Sequence, residues 1–284
     1  MKVFIFGQTG MLGRYVYSFL RYEGLDVVAI DRKELDIVET DYHCLRALLL
    51  RAGLNKEDVI INCAAYNNVD EAEKGDSFVY DVNANALKYI SVVAKEKNIL
   101  LVHYSSDYVF DGEKNQPYVE TDPTNPLNEY GKSKLLGEQY IVESGCKNLI
   151  FRTSWVTGQG SQNFLYKLRS WVKEKEVLQI VNDEVSVPTF TFDIVKVTIE
   201  AIEKGVRGLY HLTNTGWCSR YELAKEFFKE EQITIEPVSI VTFKVVVKRP
   251  VYSKMCNEKI SKDLGLEIPK WQKSLEKYKE TLKE

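Results

Sequence analysis

The tightest constraint on this chain lies in its first twenty or so residues. KVFIF (2–6) is an almost uninterrupted apolar run, GQTGMLG follows at once, and RYVYSFLRYEG then places Tyr15, Val16, Phe19 and Leu20 at helical spacing before Gly24. A short apolar run of this kind predicts a parallel strand buried on both faces, and Gly24 marks the helix stop. Gly7, Gly10 and Gly13 therefore sit between strand and helix in GxxGxxG spacing. In such a turn one glycine permits the tight bend, one lets the backbone approach a pyrophosphate, and one lets helix and strand pack closely. The phosphates then face a helix N-terminus, where free N–H groups and the macrodipole favour anions. Taken alone the triplet also suits an ordinary glycine-rich βα turn; between strand and helix it points to nucleotide binding.

The alternation continues. DVVAI (26–30), a helix around 39–53, DVIINCAA (58–65), a helix at 76–97, LLVHYSS (100–106), a helix at 129–144 and NLIFRTS (148–154) read as βαβ units in a parallel sheet covered on both faces. After residue 154 the rhythm loosens into a helix near 162–175, VLQIVND, a helix at 191–204, GLYHLTN, a helix at 219–231 and a lysine-rich amphipathic tail. The fold class expected is α/β, a Rossmann-like doubly wound parallel sheet with a smaller interleaved α+β substrate domain. At roughly 150 residues per domain, 284 residues suit two domains, or one large one. With no repeat or long linker, the expected division is 1–152 plus roughly 179–204 for the dinucleotide, and roughly 153–178 plus 205–284 for the substrate.

Composition removes other classes. Lys plus Arg number 38 and Asp plus Glu 41, a net charge of −3, which does not suit a protein that coats nucleic acid. No apolar run approaches the ~18 residues that span a bilayer, and MKVFIFGQTG lacks the longer apolar stretch and cleavage site of a signal peptide. The expectation is a cytoplasmic protein that neither enters membranes nor binds nucleic acid. Five scattered cysteines without a CxxC pair and three scattered histidines give no metal-ligand spacing.

Asp31 ends the second predicted strand 18 positions beyond Gly13, the place for a carboxylate on the adenosine ribose hydroxyls of NADH. A helix cap is its plain alternative. Arg32 and Lys33 follow and can hold a 2′-phosphate, which keeps NADPH open beside NADH. In NEYGKSKLLGE, Tyr130 and Lys134 are four apart at a helix start, on one face. An ammonium beside a phenol lowers its pKa from ~10, making the tyrosine a proton donor to a developing alkoxide. Ser106 ends the LLVHYSS strand, at the edge where open α/β sheets bind ligands, and its hydroxyl can bond a reacting carbonyl.

The glycine turn, the Tyr-x-x-x-Lys pair and the upstream serine resemble the extended short-chain dehydrogenase/reductases. YSSDYVFDG, YGKSKLLGE and RTSWV together are most similar to the dTDP-4-dehydrorhamnose reductase family, with further resembling segments from FGQTGMLG to KRPVYSKM. The resemblance implies hydride transfer from NADH or NADPH to the 4-keto carbon of a dTDP-linked 4-keto-6-deoxy sugar. It implies Tyr130 as general acid, Lys134 as its tuner and as holder of the nicotinamide ribose, and Ser106 on the carbonyl. Asp107 and Tyr108 would line the sugar site, and Trp155 would pack on the deoxysugar unless it is a core tryptophan. Gly10, Met11 and Leu12 fall on the pyrophosphate turn, Asp36 and Ile37 near the adenine, and Ala64, Ala65 and Tyr66 beneath the nicotinamide arm. Asn83 would steady the sheet behind the site. Arg249 would meet the substrate pyrophosphate, with a surface ion pair as its alternative. A homodimer is suggested by the resemblance alone.

Asn67, Asn68, Thr157, Glu184 and Val185 depart from the family pattern. They lie towards the sugar and leave hydride transfer intact, so they bear on the sugar's identity. Reductases or epimerases of other nucleotide-linked 4-keto sugars share these motifs. So does the non-catalytic methionine adenosyltransferase β-subunit, against which the presence of Ser106, Tyr130 and Lys134 speaks.

Overall fold

Successive side chains of the first strand point into different cores, and that sets the architecture. In β1 (Lys2–Phe6), Val3 and Ile5 join one buried cluster while Phe4 and Phe6 join another, the two-residue period of a strand covered on both faces. The computed structural model describes residues 1–30, 32, 36–37, 41–75, 77–243 and 247–282. After β1 come α1 (Met11–Tyr22), β2 (Asp26–Ile30), α2 (Tyr42–Arg51), β3 (Val59–Asn62) and the short α3 (Val69–Ala72). A longer helix then runs from α4 (Phe78–Tyr80) through a π-turn at Asp81–Asn85 into α5 (Ala86–Lys97), followed by β4 (Leu100–Ser106), α6 (Glu129–Ser144) and β5 (Lys147–Thr153). The remaining elements are β6 (Val156–Thr157), α7 (Phe164–Trp171), β7 (Val177–Val181), β8 (Val185–Ser186), β9 (Thr189–Phe190), α8 (Thr191–Glu203), β10 (Gly208–His211), β11 (Cys218–Ser219), α9 (Arg220–Phe227), β12 (Thr234–Val238), α10 (Glu258–Leu264) and α11 (Trp271–Glu280).

Six strands form a parallel sheet in the order β2-β1-β3-β4-β5-β10. This is the expected doubly wound α/β arrangement. Val16, Leu20, Ile194, Val197 and Ile260, from α1, α8 and α10, cover one face. Leu45, Leu49, Leu87, Ile90 and Ile141, from α2, α5 and α6, cover the other. The chain runs outwards from β1 to β2, then crosses back to β3 and outwards again. The strand order reverses between β1 and β3, opening a crevice beyond their carboxyl ends where ligands bind in such sheets.

A third cluster, with Leu165, Leu178, Ile180, Phe190, Phe227, Trp271 and Leu275, gathers α7, β7, α9 and α11. The segments distribute differently from the division expected. β7, expected with the dinucleotide sheet, instead pairs in parallel with β12. Its burial alternates, with Leu178 and Ile180 inside and Val177 and Gln179 exposed, as suits a strand covered on one face. β10, expected with the substrate domain, closes the six-stranded sheet beside β5. Among the described residues no helix is long and apolar enough to cross a membrane.

Candidate active site

The three glycines of the first turn divide the work by geometry. Gly7 has φ +75°, and a Cβ there would lie 2.5 Å from the Ala64 nitrogen, so only glycine lets the turn pass the loop after β3. At Gly13 a Cβ would come 2.2 Å from the Gly7 oxygen, so this residue sets how closely α1 sits on the turn. Gly10 is less confined, its nearest contact for a Cβ being the Gly7 oxygen at 3.3 Å. It caps α1 in extended geometry with no side-chain hydrogen bond, leaving the amides of Met11, Leu12 and Gly13 as first-turn donors at the positive end of the helix. A cradle of this kind, bare of side chains and rich in N–H groups, fits a pyrophosphate.

Beyond β2, Arg32 is exposed, pairs with Asp36 at 2.8 Å and lies over the Phe78 ring at 5.5 Å. Ile37 packs against the cluster below β1 and β2. Asp31 and Lys33 lie outside the described residues. On the far side of the turn, Ala64 N donates to Asn62 Oδ1 at 3.2 Å, and Ala65 leads on to Tyr66. Asn83, in the π-turn, accepts from Tyr66 N at 2.9 Å and donates to Tyr66 O at 3.1 Å and Ser133 Oγ at 3.0 Å. It thereby clamps the loop after β3 to α6.

Helix α6 starts sharply because Asn128 accepts from Gly131 N and donates to Lys248 O, both at 2.8 Å. A Cβ at Gly131 would lie 2.2 Å from the Tyr108 oxygen, so this helix start is pressed against the end of β4. Tyr130 consequently meets Tyr108 edge-on at 5.6 Å and Ser106. Burial pushes the Tyr130 phenol up to about 12, with the Ser106 hydroxyl pulling it down and Asp107 adding to the rise.

Lys134 is fully buried one turn further on. Its Nζ donates to the Tyr104 oxygen at 2.6 Å and lies 3.4 Å from His103 Nε2. The ammonium-to-phenol pairing expected from the spacing is therefore not made in this structure, and the Tyr130 phenol is raised, not lowered. The amine's partners come from β4, which the spacing within α6 does not reveal. Burial pushes the Lys134 amine down to about 8, opposed by Glu138, and holds His103 neutral. His103 Nδ1 lies 3.1 Å from Asn62 Nδ2, completing a buried chain Lys134–His103–Asn62–Ala64 under the crevice.

On the opposite wall Ser106 donates to Asp107 Oδ1 at 3.2 Å. Asp107 Oδ2 accepts from Ser253 at 2.5 Å and Ser186 at 3.0 Å. Burial lifts this carboxyl to about 6 against the pull of the three hydroxyls. Trp155 is half-buried and adopts the left-handed φ of +39°, uncommon for a bulky residue. Arg249 gives its Nη2 to both Asp70 oxygens at 2.7 and 2.9 Å, while its buried Nε has no partner. Beside it a cavity of about 180 Å³ is lined by Glu184, Ile240, Phe243 and Val247 among others.

Residues 1–284 match the family described as the RmlD substrate binding domain, and a dTDP-4-dehydrorhamnose reductase from Burkholderia thailandensis is 34% identical over 95% of both chains. The chain belongs to the dTDP-4-dehydrorhamnose reductase family. A solved member of this family, from Clostridium acetobutylicum, superposes with a TM-score of 0.94 at 32% identity over 100% of both chains. Another, from Bacillus anthracis in complex with NADP, does so at 0.91 and 33% identity over 98% of both. Against this family background, His103, Ser186, Ser253 and Arg220 are the site neighbours that sequence reasoning missed. Ser186 and Ser253 stand inside VNDEVSVPT and KRPVYSKM, but their convergence on Asp107 is a tertiary contact. Of the departures, Asn68 caps α3, Thr157 bonds the Trp155 carbonyl, and Glu184 leaves a buried carboxylate oxygen unpartnered.

Proposed function

We propose that this chain reduces the 4-keto group of dTDP-4-dehydro-L-rhamnose with NADPH or NADH, giving dTDP-L-rhamnose, in the cytoplasm. The observation that carries the reading is Tyr130 and Ser106 side by side at the crevice, beyond the turn that exposes the Met11, Leu12 and Gly13 amides. The reduced nicotinamide supplies the hydride that goes to C4 of the sugar.

Every other part belongs to the chain's own residues. Gly10, Met11, Leu12 and Gly13 hold the pyrophosphate, with Gly7 shaping the turn. Arg32, Asp36 and Ile37 surround the adenosine end, and Ala64, Ala65 and Tyr66 lie beneath the nicotinamide arm. Lys134 meets the nicotinamide ribose. Ser106 hydrogen-bonds the ketone oxygen and polarises it. As hydride arrives, Tyr130 transfers its phenolic proton to that oxygen, so the developing alkoxide becomes the C4 hydroxyl and the phenolate is reprotonated before the next turnover. A phenol kept protonated by burial is the form this direction needs. Asp107, Tyr108 and Trp155 wall the sugar, and Arg249 faces its diphosphate. The two interleaved halves form part of this proposal, the six-stranded sheet serving the dinucleotide and the third cluster the nucleotide sugar.

The direct test mixes the protein with NADPH or NADH and dTDP-4-dehydrorhamnose, follows the reduced-nicotinamide absorbance and identifies the product sugar. Stoichiometric consumption with formation of dTDP-L-rhamnose is expected. Tight dinucleotide binding with no oxidation of either cofactor would replace this reading with a non-catalytic binding subunit.

A further inference from the structure

Arg220 opens α9 with its guanidinium 3.6 Å from the centre of the Trp155 ring and 4.8 Å from that of Phe164. Planar stacking of this kind fixes a guanidinium by its face and leaves its edge of N–H donors free. Among the described residues none accepts a hydrogen bond from that edge or forms an ion pair with it, although its charge is felt by Tyr108, Glu184, Asp107 and Arg249. Asp107 is already engaged by Ser106, Ser186 and Ser253. The stack rests on the left-handed backbone of Trp155, and such outliers persist where surrounding structure enforces them, often at ligand clamps. Nearby, Arg249 is tied to Asp70 through Nη2 alone and keeps a buried, unpartnered Nε, while Glu184 keeps an unpartnered Oε1. Two guanidiniums with unfilled donors and one carboxylate with an unfilled acceptor thus surround Tyr108.

We propose that Arg220, working with Arg249, grips the diphosphate bridge of the nucleotide sugar, its edge on two phosphoryl oxygens and its face on Trp155. This inference rests on the function proposed above and narrows it to a second phosphate-binding arginine on α9. Arginine matches such oxygens in bidentate geometry, and Glu184 Oε1 is left to accept from a hydroxyl of the same ligand. The Trp155–Arg220 stack is then a lever between the two ends of the substrate: engaging the diphosphate fixes the indole against the sugar.

The test is calorimetric titration of the full chain, wild type, Arg220→Gln and Arg220→Lys, with pyrophosphate, dTDP, UDP and GDP, and with NADPH as control. Arg220→Gln should bind dTDP and pyrophosphate roughly ten- to hundredfold more weakly, the loss expected for a hydrogen bond to a charged group. It should hold NADPH within twofold of wild type, and in turnover raise KM more than it lowers kcat. Arg220→Lys should recover part of the affinity, since it keeps the charge and loses the fork. Unchanged dTDP and pyrophosphate binding in Arg220→Gln overturns the inference, and if turnover falls in that same variant the arginine acts on the sugar. A wild type that prefers UDP or GDP, with that binding lost in Arg220→Gln, upholds the diphosphate site and overturns the thymidine assignment instead. A wild type that binds no diphosphate overturns both.

Discussion

The Nζ of Lys134 donates to the main-chain oxygen of Tyr104 at 2.6 Å, so the buried amine is held by the C-terminal half of β4 and not by the phenol one helical turn away. Burial brings that amine down to about 8, which puts its charge change close to working pH. On the proposed contact between Lys134 and the nicotinamide ribose, NADPH affinity should fall as pH rises through about 8, where the amine loses its proton. Fluorescence titration of NADPH across this range should show the dependence in wild type and a flat, weaker profile in Lys134→Met. The same group has a consequence for stability. Between about 8 and the ordinary value of 10.5 the unfolded chain binds more protons than the folded one, so stability rises with pH there. Urea unfolding should record that rise in wild type and its loss in Lys134→Met.

Tyr130→Phe removes the proton donor while leaving the ring that meets Tyr108. Single-turnover reduction should slow by roughly 10²- to 10⁴-fold with NADPH affinity unchanged. Near-normal turnover would show that another group protonates the sugar oxygen.

The glycine turn should tolerate alanine in a fixed order. Gly10→Ala meets only the Gly7 oxygen at 3.3 Å, whereas Gly13→Ala meets it at 2.2 Å and Gly7→Ala meets the Ala64 backbone at 2.5 Å with φ at +75°. Binding assays should find NADPH affinity weakened least at Gly10, and thermal melts should find Gly7→Ala and Gly13→Ala less stable. Equal losses at all three positions would contradict this division of roles.

Glu138 on α6 and Arg152 on β5 form a buried pair, with Arg152 Nη2 2.7 Å from Glu138 Oε2 and a further contact through Nε at 3.0 Å. Removing one partner strands the other's charge, so Glu138→Ala should cost about 3–5 kcal/mol in urea unfolding. A cost under about 1 kcal/mol would mean the pair behaves like a surface bridge.

What sequence reasoning could reach was what neighbours in the chain decide. The β1–turn–α1 unit was legible because strand, glycines and helix are contiguous, and Tyr130 and Ser106 were legible because each sits at an element boundary. The direction of Lys134 was not, since it depends on Tyr104 and His103, thirty and thirty-one residues back on another strand. Nor were the partners of Asp107, because Ser186 and Ser253 arrive from 79 and 146 residues away. The left-handed backbone of Trp155 leaves no mark in composition or period. The allotment of β7 and β10 also escaped, because a short apolar run states that it is buried but not against which sheet.

β10 joins the six-stranded sheet only after the chain has travelled through β6, α7, β7, β8, β9 and α8. On a ribosome the six-stranded sheet therefore waits for the segments between β5 and β10. A nascent chain ending before Gly208 exposes the backbone edge of β5, whose residues Leu149 to Thr153 are all buried in the finished protein, and an open edge of that kind is a template for mispairing. Late addition of β10 thus exposes the unfinished chain to aggregation during its synthesis, and ties completion of the six-stranded sheet to arrival of the segments between β5 and β10.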